Sequence, residues 1–348
     1  MGDNYMILDE VVYIEQFPKV FKLHNGIPVD LDMIGTLSLF IHDSLLIVTA
    51  RDNEGMWSFF SLPEHKYLGK YFTKGNGPNE FLSVPWVENQ SFFEDCGQLF
   101  AIVYDFHSGK SYKMNISETL QNKSLSMIKT DYLLPRTLFN FSIVDTTTFF
   151  CKEVSEDHTQ QIRYILSVDG KKKHSRNLEK LNSASVQQGK NINILSTGIG
   201  INTHRKRIVE VCIALNQINL YSLDDFFGKT ICVGSKQEID NIGNIQLVDK
   251  WERAYTYMNI NTHPNFFGAL YLNEIERNYQ QGSSKNPIIQ FFDWDGNPLA
   301  EVQLDRMITS YAIDFIHGFL YTLNYNAEDE IYRYDIHDIL ENIEIMYP

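Results

Sequence analysis

One supersecondary phrase returns six times between Thr36 and Leu340, and that recurrence constrains the fold more than any single motif. Each copy has an apolar run, a turn, a second apolar run, another turn, and a third run in which aromatic residues alternate with polar ones. The third runs begin at Met56, Gly109, Ile162, Ile218, Ile288 and Ile331, as in "MWSFFSL", "IRYILSVDG" and "IIQFFDWDG". Their spacings of 53, 53, 56, 70 and 43 residues lie near the roughly 40–50 residues of a four-stranded propeller blade with loop insertions. The runs before them, among them "SLLIVTARD", "QLFAIVYDF" and "GFLYTLNYN", have the length and the aromatic and β-branched content of strands.

Helical periodicity is confined to "SETLQNKSLSMI" from Ser117 and to the tail after Asp335. The 19 Tyr and 23 Phe suit strands packed on both faces. An all-β chain of this size must protect its sheet edges, by closure or by radial repetition. Residues 1–348 therefore read as a single all-β domain, a six-bladed β-propeller of four-stranded antiparallel blades. The last phrase stops after "IYRYDI" without a fourth strand, whereas "VVYIEQFPKVFKL" (Val11 to Leu23) belongs to no phrase. The expectation is that this N-terminal strand, residues 11–23, completes the last blade and closes the ring.

With a net charge of −14 and a pI near 5.1, the chain repels a phosphate backbone, which argues against nucleic acid as a partner. The basic runs "GKKKHSR" and "HRKR" read as solvated hairpin tips. No apolar run approaches the roughly 20 residues of a transmembrane segment. "MGDNYMILDE" shows no signal peptide, which leaves a cytoplasmic location open. Cys96, Cys151, Cys212 and Cys232 match no metal spacing, and the last three fall in apolar runs.

The densest motif is "GNGPNEF", Gly75 to Phe81, between the first and second phrases. It lacks the Gly-Lys-Ser/Thr of a phosphate loop, and Glu80 would oppose a bound phosphate. It reads as a connection running from the rim of one blade to the axis of the next. Gly75 and Gly77 are expected to supply φ > 0, Pro78 to fix φ near −65°, and Phe81 to anchor the loop in an inter-blade core. "DWDGN" at Asp293 reads as a hairpin turn, not a calcium loop.

The "GNGPNEF" stretch resembles the G-x-G-P-G-E-F phrase of Bacteroidetes TolB-like or NHL-like six-bladed β-propellers, with Asn79 where glycine is usual. The resemblance implies a propeller of the cell envelope, periplasmic or anchored to the outer membrane. It implies little about chemistry.

Function in a propeller concentrates where loops enter the innermost strands at one mouth of the channel. The candidates there are Asn76, Glu80 and Trp86 for blade two, and Arg136 and Asn140 for blade three. Asn191 and Asn193 follow for blade four, Tyr255 and Tyr257 for blade five, and Tyr311 for blade six. An aromatic and amide mouth suits a glycan, peptide or protein partner. The first expectation is a non-catalytic binding propeller without a cofactor, since neither a nucleophile elbow nor an H-E-x-x-H motif occurs. The alternative is a calcium-dependent hydrolase resembling six-bladed lactonases, with Glu80, Asn140, Asn193 and Asp314 as candidate ligands.

Overall fold

The computed structural model describes residues 4–344 apart from 78, 136–137, 146, 174, 235–238, 283–284 and 328–329. Six sheets form a six-bladed β-propeller, each starting with a strand that lines the central channel. These innermost strands are Thr36–His42, Ser91–Asp95, Leu138–Asp145, Thr197–Asn202, Ala254–Thr262 and Ser310–Asp314. Each then pairs antiparallel with the next strand outward, as for Thr36–His42 with Leu45–Ala50 and Ser310–Asp314 with Phe319–Asn324. We call the end where the chain enters the innermost strands the entry end of the channel, and the other the exit end.

The blades hold together face to face. Six apolar clusters occur, one at each junction between neighbouring blades. Between blades one and two lie Ile47, Trp57, Phe59, Phe81 and Val103, and between blades five and six Phe266, Phe291, Tyr311 and Leu320. Between blades four and five, Val209, Leu220, Phe267 and Trp294 do the same. Blades are thus buried on both faces, which is why the strands read as near-continuous apolar runs. At the channel wall, "TGIGIN" shows what this packing demands: a Cβ on Gly200 would lie 2.6 Å from Thr262 Cγ2 of blade five. Only glycine lets the two innermost strands approach so closely.

Ring closure does use the N-terminal segment, but other residues of it than 11–23. Ile27–Pro28 is the strand that completes blade six, pairing antiparallel with Glu330–Asp335. Glu10–Ile14 instead adds a fifth, parallel strand to blade four, beside Gly228–Val233. Val20–Lys22 adds one to blade five, beside Pro298–Gln303. Pro18 lies between the two, and the chain steps from one blade rim to the next where a single strand was expected.

Two other local readings gain detail. "GKKKHSR" starts at an exposed hairpin turn, as expected, and goes further: Lys172–Lys173 is the outermost strand of blade three, and Arg176 begins a helix capped by Ser175. "DWDGN" is a hairpin turn as expected, with Asp293 Oδ1 accepting from the amides of Asp295 and Asn297, and only Gly296 at positive φ.

Candidate ligand site in the central channel

The connection that carries "GNGPNEF" begins at the rim. Phe81 is fully buried and packs edge-on against Phe72 and Tyr112, the anchoring role expected of it. The glycines serve another purpose than expected. Neither Gly75 nor Gly77 has positive φ; the Glu80 carboxylate folds back over both and accepts the Gly77 amide at 2.7 Å. A Cβ on Gly75 would collide with Glu80 Oε2. The positive φ of this connection falls on Phe72, at 70°, held there by Trp57 and Phe81. Pro78 lies outside the described residues.

Past Phe81 the chain crosses to the axis. Its one-turn helix, Val87–Asn89, lies over the entry end of the channel. The Val87 amide donates to Thr49 of blade one at 3.2 Å. Glu88 reaches the far side: its Oε2 accepts from Asn259 Nδ2 of blade five at 2.9 Å and from the Ser310 hydroxyl of blade six at 3.3 Å. Asn261 continues the chain of amides, donating to the Tyr311 carbonyl at 2.8 Å and to Asn259 Oδ1 at 3.3 Å. Enclosure by the channel pushes the Glu88 carboxyl up to about 7, against the downward pull of the Ser310 and Asn259 hydrogen bonds.

Below this tie lies a cavity of about 320 Å³ lined by residues of all six innermost strands. Its collar is polar, with Glu88, Asn89, Gln90, Asn140, Asn259 and Asn261. Its walls toward the exit end are mostly apolar, including Phe40, Phe92, Ile199, Ile201, Ile313 and Phe315. Among the described residues, Asn140 Oδ1, buried in this wall, has no hydrogen-bond partner. Asn89, Gln90 and Asn140 also line a second hollow of about 490 Å³ on the entry face, walled by Trp86, Arg51 and Phe106. Aromatic rings rim this face: Trp86 stands edge-on to Tyr325, whose hydroxyl meets that of Tyr279, which in turn packs edge-on to Tyr255.

The residues singled out in the sequence are thus divided. Trp86, Asn140 and Tyr255 sit at the entry end. Asn191 and Asn193 are exposed beside blade four, where the Asn191 side chain accepts the Asn193 amide. Glu80 belongs to the rim loop, beside Lys70 and Leu125 rather than the channel, and Asn76 is exposed in the same loop. Tyr257 and Tyr311 are fully buried between blades, donating to Gln290 and to the Gly268 carbonyl. Arg136 lies outside the described residues. The four candidate calcium ligands do not gather, for Glu80 is on the rim and Asp314 is bonded to His317 in a turn at the exit end.

Glu88, Asn259, Asn261, Tyr279 and Tyr325 went unnoticed in the sequence. Two signals were available: three polar residues, "ENQ", directly before an innermost strand, and the "NIN" alternation inside another where apolar residues prevail.

The comparisons with known proteins agree with this architecture. A member of the DUF4221 family from Bacteroides vulgatus superposes with a TM-score of 0.52 at 10% identity, over 89% of this chain and 95% of its own. Raptor from Chaetomium thermophilum gives a TM-score of 0.45 at 11% identity, over 87% of this chain, which spans only 28% of Raptor's length. No curated protein matches the sequence. Residues 36–315, from the first innermost strand to the last, match the family described as TolB-like 6-blade propeller-like, and the chain belongs to that family.

Proposed function

We propose that this is a non-catalytic binding propeller that takes its ligand at the entry end of the channel. The observation that carries this reading is the helical turn Val87–Asn89, which sets a half-buried carboxyl and a collar of amides over a channel cavity with apolar side chains in its walls. Polar groups converging on an apolar hollow are the usual make-up of a small-ligand site. The partly exposed rings of Trp86, Tyr255 and Tyr325, backed by the buried Tyr279, offer flat area to the sugar or peptide in which such a ligand would be presented. A thermal-shift panel of oligosaccharides and short peptides tests it. Ligands that raise the melting temperature of the wild type should lose that effect with Trp86→Ala. Steady turnover of lactones, esters or glycans that disappears with Glu88→Gln would overturn it.

The proposal includes no cofactor, so adding calcium or a chelator should leave the melting temperature unchanged. It does include the envelope location that the family resemblance implies, which cell fractionation checks. Among the described residues, no helix is long and apolar enough to cross a membrane.

A further inference from the structure

The chemistry of the channel lining narrows the ligand beyond the reading above, on which this inference rests. Among the described residues lining the cavity, only Glu88 and His42 have ionisable side chains, and none is a lysine or arginine. Glu88 spends one oxygen on Asn259 and Ser310, leaving Oε1 without a protein donor among the described residues. A carboxylate offers about four lone-pair sites, so half of this capacity is unused. The second unsatisfied acceptor is Asn140 Oδ1, buried in the same wall. These two unpaired atoms are acceptors, and a buried acceptor left unpaired is costly. At the exit end His42 is flanked by Glu94 at 3.2 Å and Asp43 at 3.9 Å, both exposed carboxylates. The collar and the exit therefore both offer carboxylates to a cation, in a chain of net charge −14.

We propose that the channel binds a small primary ammonium carrying an apolar body. The ammonium, with three donors and no acceptor, matches the carboxylate of Glu88 and the carbonyl of Asn140. The body lies against Phe40, Phe92, Ile199, Ile201 and Ile313. The cavity, about 320 Å³, has the volume of roughly ten waters at about 30 Å³ each, enough for a body of five to eight carbons. A carboxyl poised near neutrality gives up its proton readily to such a partner.

The test is calorimetric titration of the full chain at pH 8 with cyclohexylamine and, as a neutral match, cyclohexanol. Cyclohexylammonium should bind at least about tenfold more tightly than the alcohol, the worth of one charge-assisted contact. Glu88→Gln, which can still hydrogen-bond to Asn259 and Ser310, should lose that tenfold. Asn140→Leu should weaken the amine several-fold while leaving the alcohol unchanged. Equal affinity for amine and alcohol, or an amine affinity unaffected by Glu88→Gln, would overturn the inference. So would potassium ion competing as well as the amine. The binding reading falls separately: oligosaccharides or peptides that stabilise the wild type but not Trp86→Ala would sustain it even with no amine bound, whereas Glu88-dependent turnover would end it.

Discussion

Two enclosed carboxyls, the half-buried Glu88 and the fully buried Glu210, respond to pH in opposite directions, because one faces amides and the other faces cations. Glu88 has its folded pKa raised to about 7, above its ordinary value of 4.5. The folded state then holds the proton more tightly than the unfolded chain. Its contribution to stability is most favourable below about 4.5 and is lost as pH rises through 7. Replacing Glu88 with Gln should remove that fall, so the variant gains on the wild type in melting temperature between pH 5 and 8. Glu210 is the reverse. It is buried between blades three and four with Arg163 Nε at 2.7 Å, Lys152 Nζ at 3.7 Å, and the hydroxyls of Thr197 and Tyr221. Burial alone would raise its pKa, but the two cations outweigh burial and hold it well below the usual carboxylate range. Its stabilisation is present above about 4.5 and is lost as pH falls below that. Glu210→Gln leaves the buried Arg163 guanidinium without a countercharge, whereas Lys152, which burial already lowers to about 7, can shed its proton; the substitution should cost about 3–5 kcal/mol, read from urea unfolding at pH 7. No motif in the sequence announces this network. Its members come from different blades and meet only after folding.

Among the elements, the N-terminal strands were the least legible. Val11 to Leu23 has the composition of one strand, and only the tertiary fold reveals two short ones on two blades, with a third, Ile27–Pro28, beyond them on blade six. Their anchors are long-range: the Leu8 amide donates to Thr230, and Asn219 and Gln217 both donate to the Met6 carbonyl. The parallel register Glu10 with Lys229 to Ile14 with Val233 follows from that anchoring, not from any turn. The two parts of the segment should therefore differ in consequence when removed. Deleting residues 1–15 strips the fifth strand from blade four and uncovers Ile231 and Val233, yet leaves blade six complete. That variant should stay a folded monomer with a lower melting temperature. Deleting residues 1–28 also removes the fourth strand of blade six and exposes the edge of Glu330–Asp335, an invitation to pair with other chains. It should aggregate or elute as higher species on size exclusion. A second deletion as well behaved as the first would show that the closing strand is dispensable.

At the scale of the whole molecule, the fold was legible where physics repeats and illegible where it does not. Six phrases, each with the same alternation of apolar and turn residues, were enough for six blades, since every blade must bury two faces in the same way. The site is a single event on one connection, and its residues are individually ordinary. Trp86 stood out by its ring and Asn140 by its place before a strand, whereas Glu88 gains its meaning from Asn259 and Ser310, 171 and 222 residues away in sequence. The same geometry sets how the ring should unfold. Each blade rests on apolar clusters shared with both neighbours, and the closing strand ties residues 27–28 to residues 332–333, so no blade can leave without uncovering two others. One cooperative transition is expected. Trp57 is buried in blade one and Trp294 in blade five, two well-separated reporters of the ring. Their fluorescence, with Trp86→Phe and Trp251→Phe silencing the two partly exposed rings, should change at the same urea concentration as the far-ultraviolet circular dichroism. Midpoints that separate would mean that part of the ring melts first, and that the six junctions differ in strength more than their shared pattern implies.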